Sequence, residues 1–95
     1  MAALWITHVS VTHEDEYAKY AKLAGPAIAK HGGAFIARGA RHVQLEGKDR
    51  PRNVVIRFDS VEAAVACYES PEYQEALAFA KDSSERELVV VEITE

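Results

Sequence analysis

Four short stretches rich in β-branched and apolar residues alternate with helical ones, and their order limits the folds open to this chain. Ala3 to Val11 reads as a first strand. Thr12 then caps a helix, with Asp15 three positions later in a capping-box arrangement and Glu14 to Glu16 suiting the positive helix end. Tyr17, Tyr20, Ala21, Ala24 and Ile28 recur along it at helical spacing. Gly25-Pro26 should kink this helix, and His31-Gly32-Gly33 ends it. A second strand begins near Ala34 and extends toward Glu46, with a disturbance expected at Gly39. Gly47 to Arg52 reads as a hairpin turn and Asn53 to Asp59 as the third strand. A short helix starts at Asp59 or Ser60 with a stripe of Val61, Ala64, Val65 and Tyr68. Ser70-Pro71 restarts it, and Tyr73, Ala76, Leu77 and Ala80 line the second piece. Glu87 to Thr94 is the fourth strand. The order is strand, helix, strand, strand, helix, strand.

Alternate residues of a strand point to opposite faces, so each strand divides in two. One set holds Trp5, Thr7, Val9, Val11, Phe35, Ala37, Val54, Ile56, Phe58, Val89, Val91 and Ile93, and is apolar enough for the helices to cover. The other set mixes Leu4, Ile6, Ile36, Val55, Leu88 and Val90 with His8, Ser10, Arg38, Arg57, Asp59, Glu92 and Thr94. It is too apolar for bulk water and too polar for a sealed core, the mark of an interface or a binding groove. The expected architecture is α+β: a sheet with helices on one face and a partner subunit, a ligand or both on the other. Leu4, Ile6, Ile36, Val55, Leu88 and Val90 are the expected homodimer contacts.

Composition narrows the function classes. With 95 residues, 48% of them hydrophobic and 27% charged, the chain is expected to form one soluble domain over residues 1–95. One cysteine excludes a disulfide framework and any multi-cysteine metal site. The histidines at 8, 13, 31 and 42 show no ligand spacing, so no metal is expected. A net charge of −4 argues against general nucleic-acid binding. No apolar run approaches a membrane span, and Met-Ala-Ala-Leu-Trp lacks the basic start of a secretory signal, so a cytoplasmic location is expected. Residues 1–52 carry eight Lys/Arg against five Asp/Glu, and residues 53–95 three against ten. The basic cluster Arg38, Arg41, Lys48, Arg50 and Arg52 reads either as a solvated hairpin or as an anion-facing patch. Cys67, beside a helix stripe, reads as a small buried filler.

Three blocks of sequence carry a family resemblance. They are His31-Gly32-Gly33-Ala34-Phe35 with Ala37-Arg38-Gly39, then Arg50-Pro51-Arg52 leading to Val54-Val55-Ile56 and Phe58-Asp59-Ser60. The most characteristic is Glu62-Ala63-Ala64 to Tyr68 with Ser70-Pro71-Glu72-Tyr73-Gln74. Across nearly its whole length the chain resembles the bacterial family named domain of unknown function 1330. The resemblance implies a ferredoxin-like βαββαβ domain with a four-stranded antiparallel sheet, dimerising sheet to sheet as in the dimeric α/β barrel superfamily. Relatives in that superfamily include cofactor-free monooxygenases, muconolactone isomerases and haem-using enzymes, but fold analogy does not supply a reaction.

In such a fold the first and third strands are central, which would make His8 and Arg57 neighbours. With Arg38 and Glu92 they form the candidate ligand-binding set, able to grip a carboxylate and exchange a proton with it. The competing view makes them polar contacts across a dimer. Three functions follow: a protein holding a small, partly apolar organic acid in a groove beside the sheet, a non-catalytic dimerisation module, or a small cofactor-free enzyme. RNA binding is disfavoured, because the open face of the central strands offers no aromatic residues for base stacking.

Overall fold

The structure, a computed structural model, describes residues 1–94. Its elements are β1 (Ala3–Val11), α1 (Glu14–Lys30), β2 (Ala34–Arg38), β3 (Arg52–Phe58), α2 (Val61–Glu69), α3 (Pro71–Lys81) and β4 (Ser84–Glu92). The strands form one antiparallel sheet in the order β2-β3-β1-β4, a ferredoxin-like arrangement whose second helical segment is broken in two. No described helix is long and apolar enough to cross a membrane.

Burial alternates along β1, with Ala3, Trp5, Thr7 and Val9 buried against the helices and Leu4, Ile6, His8 and Ser10 half-buried on the other face. Trp5 anchors the core, stacking on Phe58 at 5.7 Å and meeting Tyr73 edge-on at 5.1 Å. Gly33 is required by a close approach: a Cβ there would fall 2.5 Å from Ile28 and 2.8 Å from Phe58. Cys67 is fully buried, as its filler role demands.

Two local signals act as read from sequence. The Ser60 hydroxyl accepts from the Ala63 amide and caps α2. The Ser70 hydroxyl accepts from the Tyr73 amide at 3.2 Å and donates to the Cys67 carbonyl at 2.7 Å, joining the end of α2 to the start of α3. The cap expected at Thr12 does not form. His13 takes the N-cap position without a side-chain bond, because the amides of Thr12 and His13 both donate to the Ser83 carbonyl and keep that segment tied to the turn before β4. Helix α1 runs through Pro26 to Lys30. On α2 the buried positions are Ala64 and Cys67, while Val65 and Tyr68 are exposed.

Two strands depart from the expected faces. β2 ends at Arg38, where Gly39 adopts φ +65, and residues 39–51 form an exposed loop rather than a strand reaching Glu46. A register shift between Phe35 and Ala37 puts Arg38 opposite Val54, on the helix side. β4 starts at Ser84 rather than Glu87 and pairs Val90 with Trp5 and Leu88 with Thr7. Leu88 and Val90 therefore pack against the core, and Val89 and Val91 face outward, 55% and 46% exposed. The expected assignment of β4 is inverted.

Candidate functional site

The residues singled out from sequence do not converge. His8 and Arg57 share the open face of the sheet, but His8 lies opposite Asn53 and Arg57 opposite Leu4. Four residues of strand separate them, about 13 Å. Arg38 lies on the helix side, carried there by the β2 irregularity, and its guanidinium covers the Phe35 ring at 4.1 Å. Glu92 pairs with Ala3 at the exposed end of β4, on the helix-side parity. Of the expected dimer contacts, Leu4, Ile6 and Val55 remain on the open face and Ile36 falls in the β2 irregularity, exposed, whereas Leu88 and Val90 leave that face, for the reason given by their register with β1.

On the open face the polar groups satisfy one another. His8 Nδ1 donates to Asn53 Oδ1, whose Nδ2 in turn donates to the Arg50 carbonyl at 3.1 Å. That orientation of the amide makes Nδ1 the donor in this contact. Arg50 Nη1 donates to the Ser10 hydroxyl at 3.0 Å and Nε to Glu87 at 3.1 Å, with Glu85 at 3.9 Å. Every cation in this network has an anionic or neutral oxygen against it.

The opposite face holds a cavity of about 370 Å³. Helix α1 makes its close backbone contacts with α3 and stands off the strands, which leaves space over the β2–β3 half of the sheet. Trp5, Tyr17, Tyr20, Ile28, Phe35 and Ile56 supply its rings and branched walls. The charged side chains lining it are Arg38, Arg52 and Arg86; no carboxylate and no histidine is among the lining residues. Arg52 lies 5.3 Å from the Tyr17 ring and pairs with the exposed Glu14 at 3.0 Å.

Arg86 is the unusual member. It comes from the helix-facing parity of β4, one step beyond Leu88, and its guanidinium lies 4.6 Å from the Tyr20 ring. Nη2 donates to the hydroxyls of both Tyr20 and Tyr73 at 3.0 Å, and those two hydroxyls are 2.8 Å apart. Its Nε is buried with no hydrogen-bond partner, and no carboxylate pairs with it among the described residues. Burial pulls the Arg86 pKa down, but the oxygens of Tyr20, Tyr73 and Tyr17 outweigh it and hold the guanidinium above its ordinary value. Burial raises Tyr20 and Tyr17, so both remain neutral phenols at physiological pH. The site thus combines fixed positive charge, neutral hydroxyl donors and aromatic walls, a composition suited to a flat anion.

Sequence reasoning missed Arg86 because the fourth strand was expected to start after it. Extending that strand to Ser84 would have exposed the signal, a lone charge at i−2 and i−4 from the core residues Leu88 and Val90.

Comparison with solved structures places the fold. A protein of unknown function from Rhodopseudomonas palustris superposes with TM-score 0.79 at 18% identity, covering 99% of this chain and 83% of that one. A dimeric ferredoxin-like protein of unknown function from Jannaschia sp. CCS1 gives TM-score 0.78 at 14% identity, covering 98% and 100%. SnoaB, a cofactor-independent oxygenase from Streptomyces nogalater, gives TM-score 0.70 at 12% identity, covering 99% and 94%. These likenesses show the ferredoxin-like fold. Among curated proteins, none matches the chain. The family model described as domain of unknown function (DUF1330) matches residues 2–94, and the chain belongs to that family.

Proposed function

We propose that this protein binds a small, partly apolar organic anion in the cavity between α1 and the sheet, and works as a homodimer joined through the open sheet face. The observation that carries the first part is Arg86, a largely enclosed cation with no anionic partner among the described residues and with an orphaned Nε. An unpaired buried charge is costly to keep, so a ligand anion is the natural counter-charge. Arg38, expected from sequence on the open face, lines this cavity instead, beside Phe35 at the β2 side. His8, Arg57 and Glu92 take no part in this cavity.

The second part rests on Val89, Val91 and Ile36, which are exposed beside the half-buried Leu4, Ile6 and Val55. Such a contiguous apolar face is unusual on a monomer of this size. The Jannaschia protein of the same fold is described as dimeric, which supports the same reading here.

An enzymatic role is the secondary reading, favoured by the likeness to the oxygenase SnoaB. The cavity lining contains no carboxylate, histidine or cysteine to act as a base. A substrate would have to arrive ionised, or lose its proton outside this site.

Thermal denaturation with and without ligand tests the binding claim. Benzoate and 4-hydroxybenzoate should raise the Tm in a concentration-dependent way, whereas benzyl alcohol and benzylamine should not. No shift with any aromatic or aliphatic carboxylate at millimolar concentration would overturn it. Sedimentation should show a dimer at micromolar concentration, and a monomer would overturn the assembly claim.

A further inference from the structure

The hydrogen bonds around Arg86 can be counted proton by proton. Nη2 lies 3.0 Å from both phenolic oxygens and donates to each, so each oxygen already accepts from the guanidinium. The contact between the two hydroxyls consumes a single phenolic proton, because only one of them can donate across it. The other phenolic proton has no acceptor among the described residues, and neither has the proton on Arg86 Nε. This cluster holds more donors than acceptors.

Its surroundings decide where the spare phenolic proton sits. Tyr73 is 0% exposed, enclosed by the rings of Trp5, Tyr20 and Tyr68, and does not line the cavity. Tyr20 does line it. When Tyr73 donates to Tyr20, the Tyr20 oxygen accepts from both Tyr73 and Arg86, and its own proton is left for the cavity. The reverse direction would strand a proton on Tyr73 inside the core, a buried donor with nothing to bond.

We propose that the Tyr20 hydroxyl and the Arg86 guanidinium form a donor-only clamp for one unprotonated oxygen of the ligand, a carboxylate or a phenolate, and that Tyr73 is the positioning residue that turns the Tyr20 proton into the cavity. The inference deepens the proposed anion-binding function and rests on it. It adds a specificity rule: the clamp rejects a group that must itself donate, such as an ammonium or a protonated acid, since the guanidinium carries no acceptor and the Tyr20 oxygen already accepts from Tyr73 and Arg86. The titratable and charged groups lining the cavity are Tyr17 and Tyr20 of α1, Arg38 of β2, Arg52 of β3 and Arg86 of β4, with Tyr73 of α3 behind Tyr20 and Arg86. Burial keeps the Tyr17 and Tyr20 phenols protonated, so the ligand's own ionisation governs binding near neutral pH.

Two measurements test the clamp. The first uses 4-nitrophenol, whose ionised form is coloured. Bound to the wild-type protein it should be the phenolate, with its acid dissociation constant raised tenfold or more; binding as the neutral phenol would overturn the proposal. The second is calorimetric titration of benzoate into wild type, Tyr20→Phe and Tyr73→Phe, each checked for native fold by circular dichroism. Loss of a hydrogen bond to a charged oxygen should weaken Tyr20→Phe by roughly ten- to a hundredfold. Tyr73→Phe keeps the Tyr20 proton but removes the partner that directs it, and should weaken affinity by about three- to tenfold, less than Tyr20→Phe; unchanged affinity would overturn its positioning role. Equal losses in the two variants, or unchanged affinity in Tyr20→Phe, would overturn the clamp while leaving anion binding standing. Absence of binding to the wild type by both benzoate and 4-nitrophenol would instead overturn the proposed function, and the clamp with it.

Discussion

The two faces of the sheet each combine arginine, aromatic or branched residues and hydroxyls, yet they handle charge in opposite ways. On the open face Arg50 meets Glu85, Glu87 and Ser10, and His8 meets Asn53. On the helix face Arg86 meets only phenolic hydroxyls and keeps a buried Nε unbonded. A satisfied network is a structural feature, because its groups have already exchanged water for protein partners. An unsatisfied one leaves a deficit that a ligand can fill. The lesson is that residue type does not distinguish a site from a contact surface; the hydrogen-bond balance does.

The comparison breaks most visibly in the packing. Trp5 and Ile6 are adjacent in β1 but point to different faces. Trp5→Ala should cost about 3–5 kcal/mol in urea denaturation, a large part of the stability of so small a domain. Ile6→Ala, on the half-buried face, should cost less than half as much in the monomer.

A charge on β4 sharpens the corrected register. Val90→Glu puts a carboxylate against the core and should unfold the chain, by several kcal/mol, roughly, from transfer costs. Val89→Glu should leave the fold intact by circular dichroism and split the dimer in sedimentation, since Val89 faces outward. The opposite pattern would restore the face assignment expected from sequence.

Charge removal separates the two networks. Arg86→Met should weaken benzoate binding by about thirtyfold or more, with stability unchanged or raised, because a cation lacking an anionic partner is removed. Arg50→Met should cost about 1 kcal/mol of stability and leave benzoate affinity alone.

Alkali acts on buried acids of the helix side. Burial, with Glu72 nearby, raises the Cys67 thiol from 9.0 to about 11, and burial likewise raises Tyr17 and Tyr20. These acids keep their protons in the folded state at pH values where the unfolded chain has lost them. The contribution of Cys67 is therefore whole below about pH 9 and falls as pH rises through about 11, whereas that of Tyr17 and Tyr20 is whole below about pH 10 and falls above it. Urea midpoints between pH 8 and 11 should decline, and Cys67→Ala should flatten part of that slope. The smallest expected effect is local: Ser70→Ala should cost about 1 kcal/mol through the lost α3 cap, with ligand affinity unchanged.

Sequence and structure agree where the signal is local. Ser60 and Ser70-Pro71 mark helix starts because a hydroxyl and a fixed φ act within three residues of where they stand. The element order was legible for the same reason, since strand and helix periodicities differ within a few residues. The parity of β4 was not legible, because Leu88, Val89, Val90 and Val91 are apolar on both faces and alternation carries no information there. Nor was the placement of Arg38, which depends on a single irregularity against β3. The cavity itself arises from how α1 leans on α3, a tertiary outcome with no local signature.

The central claim is that ligand enters the helix side of the sheet and not the open side. The chain has one tryptophan, Trp5, which lines the cavity, and His8 reports the other face. Magnetic resonance spectra recorded during a benzoate titration should show saturable shifts of the Trp5 indole N–H and the Arg86 Nε–H, with the His8 ring signals unmoved. A saturable shift of His8 with Trp5 and Arg86 unchanged would place the ligand on the open face and contradict the account.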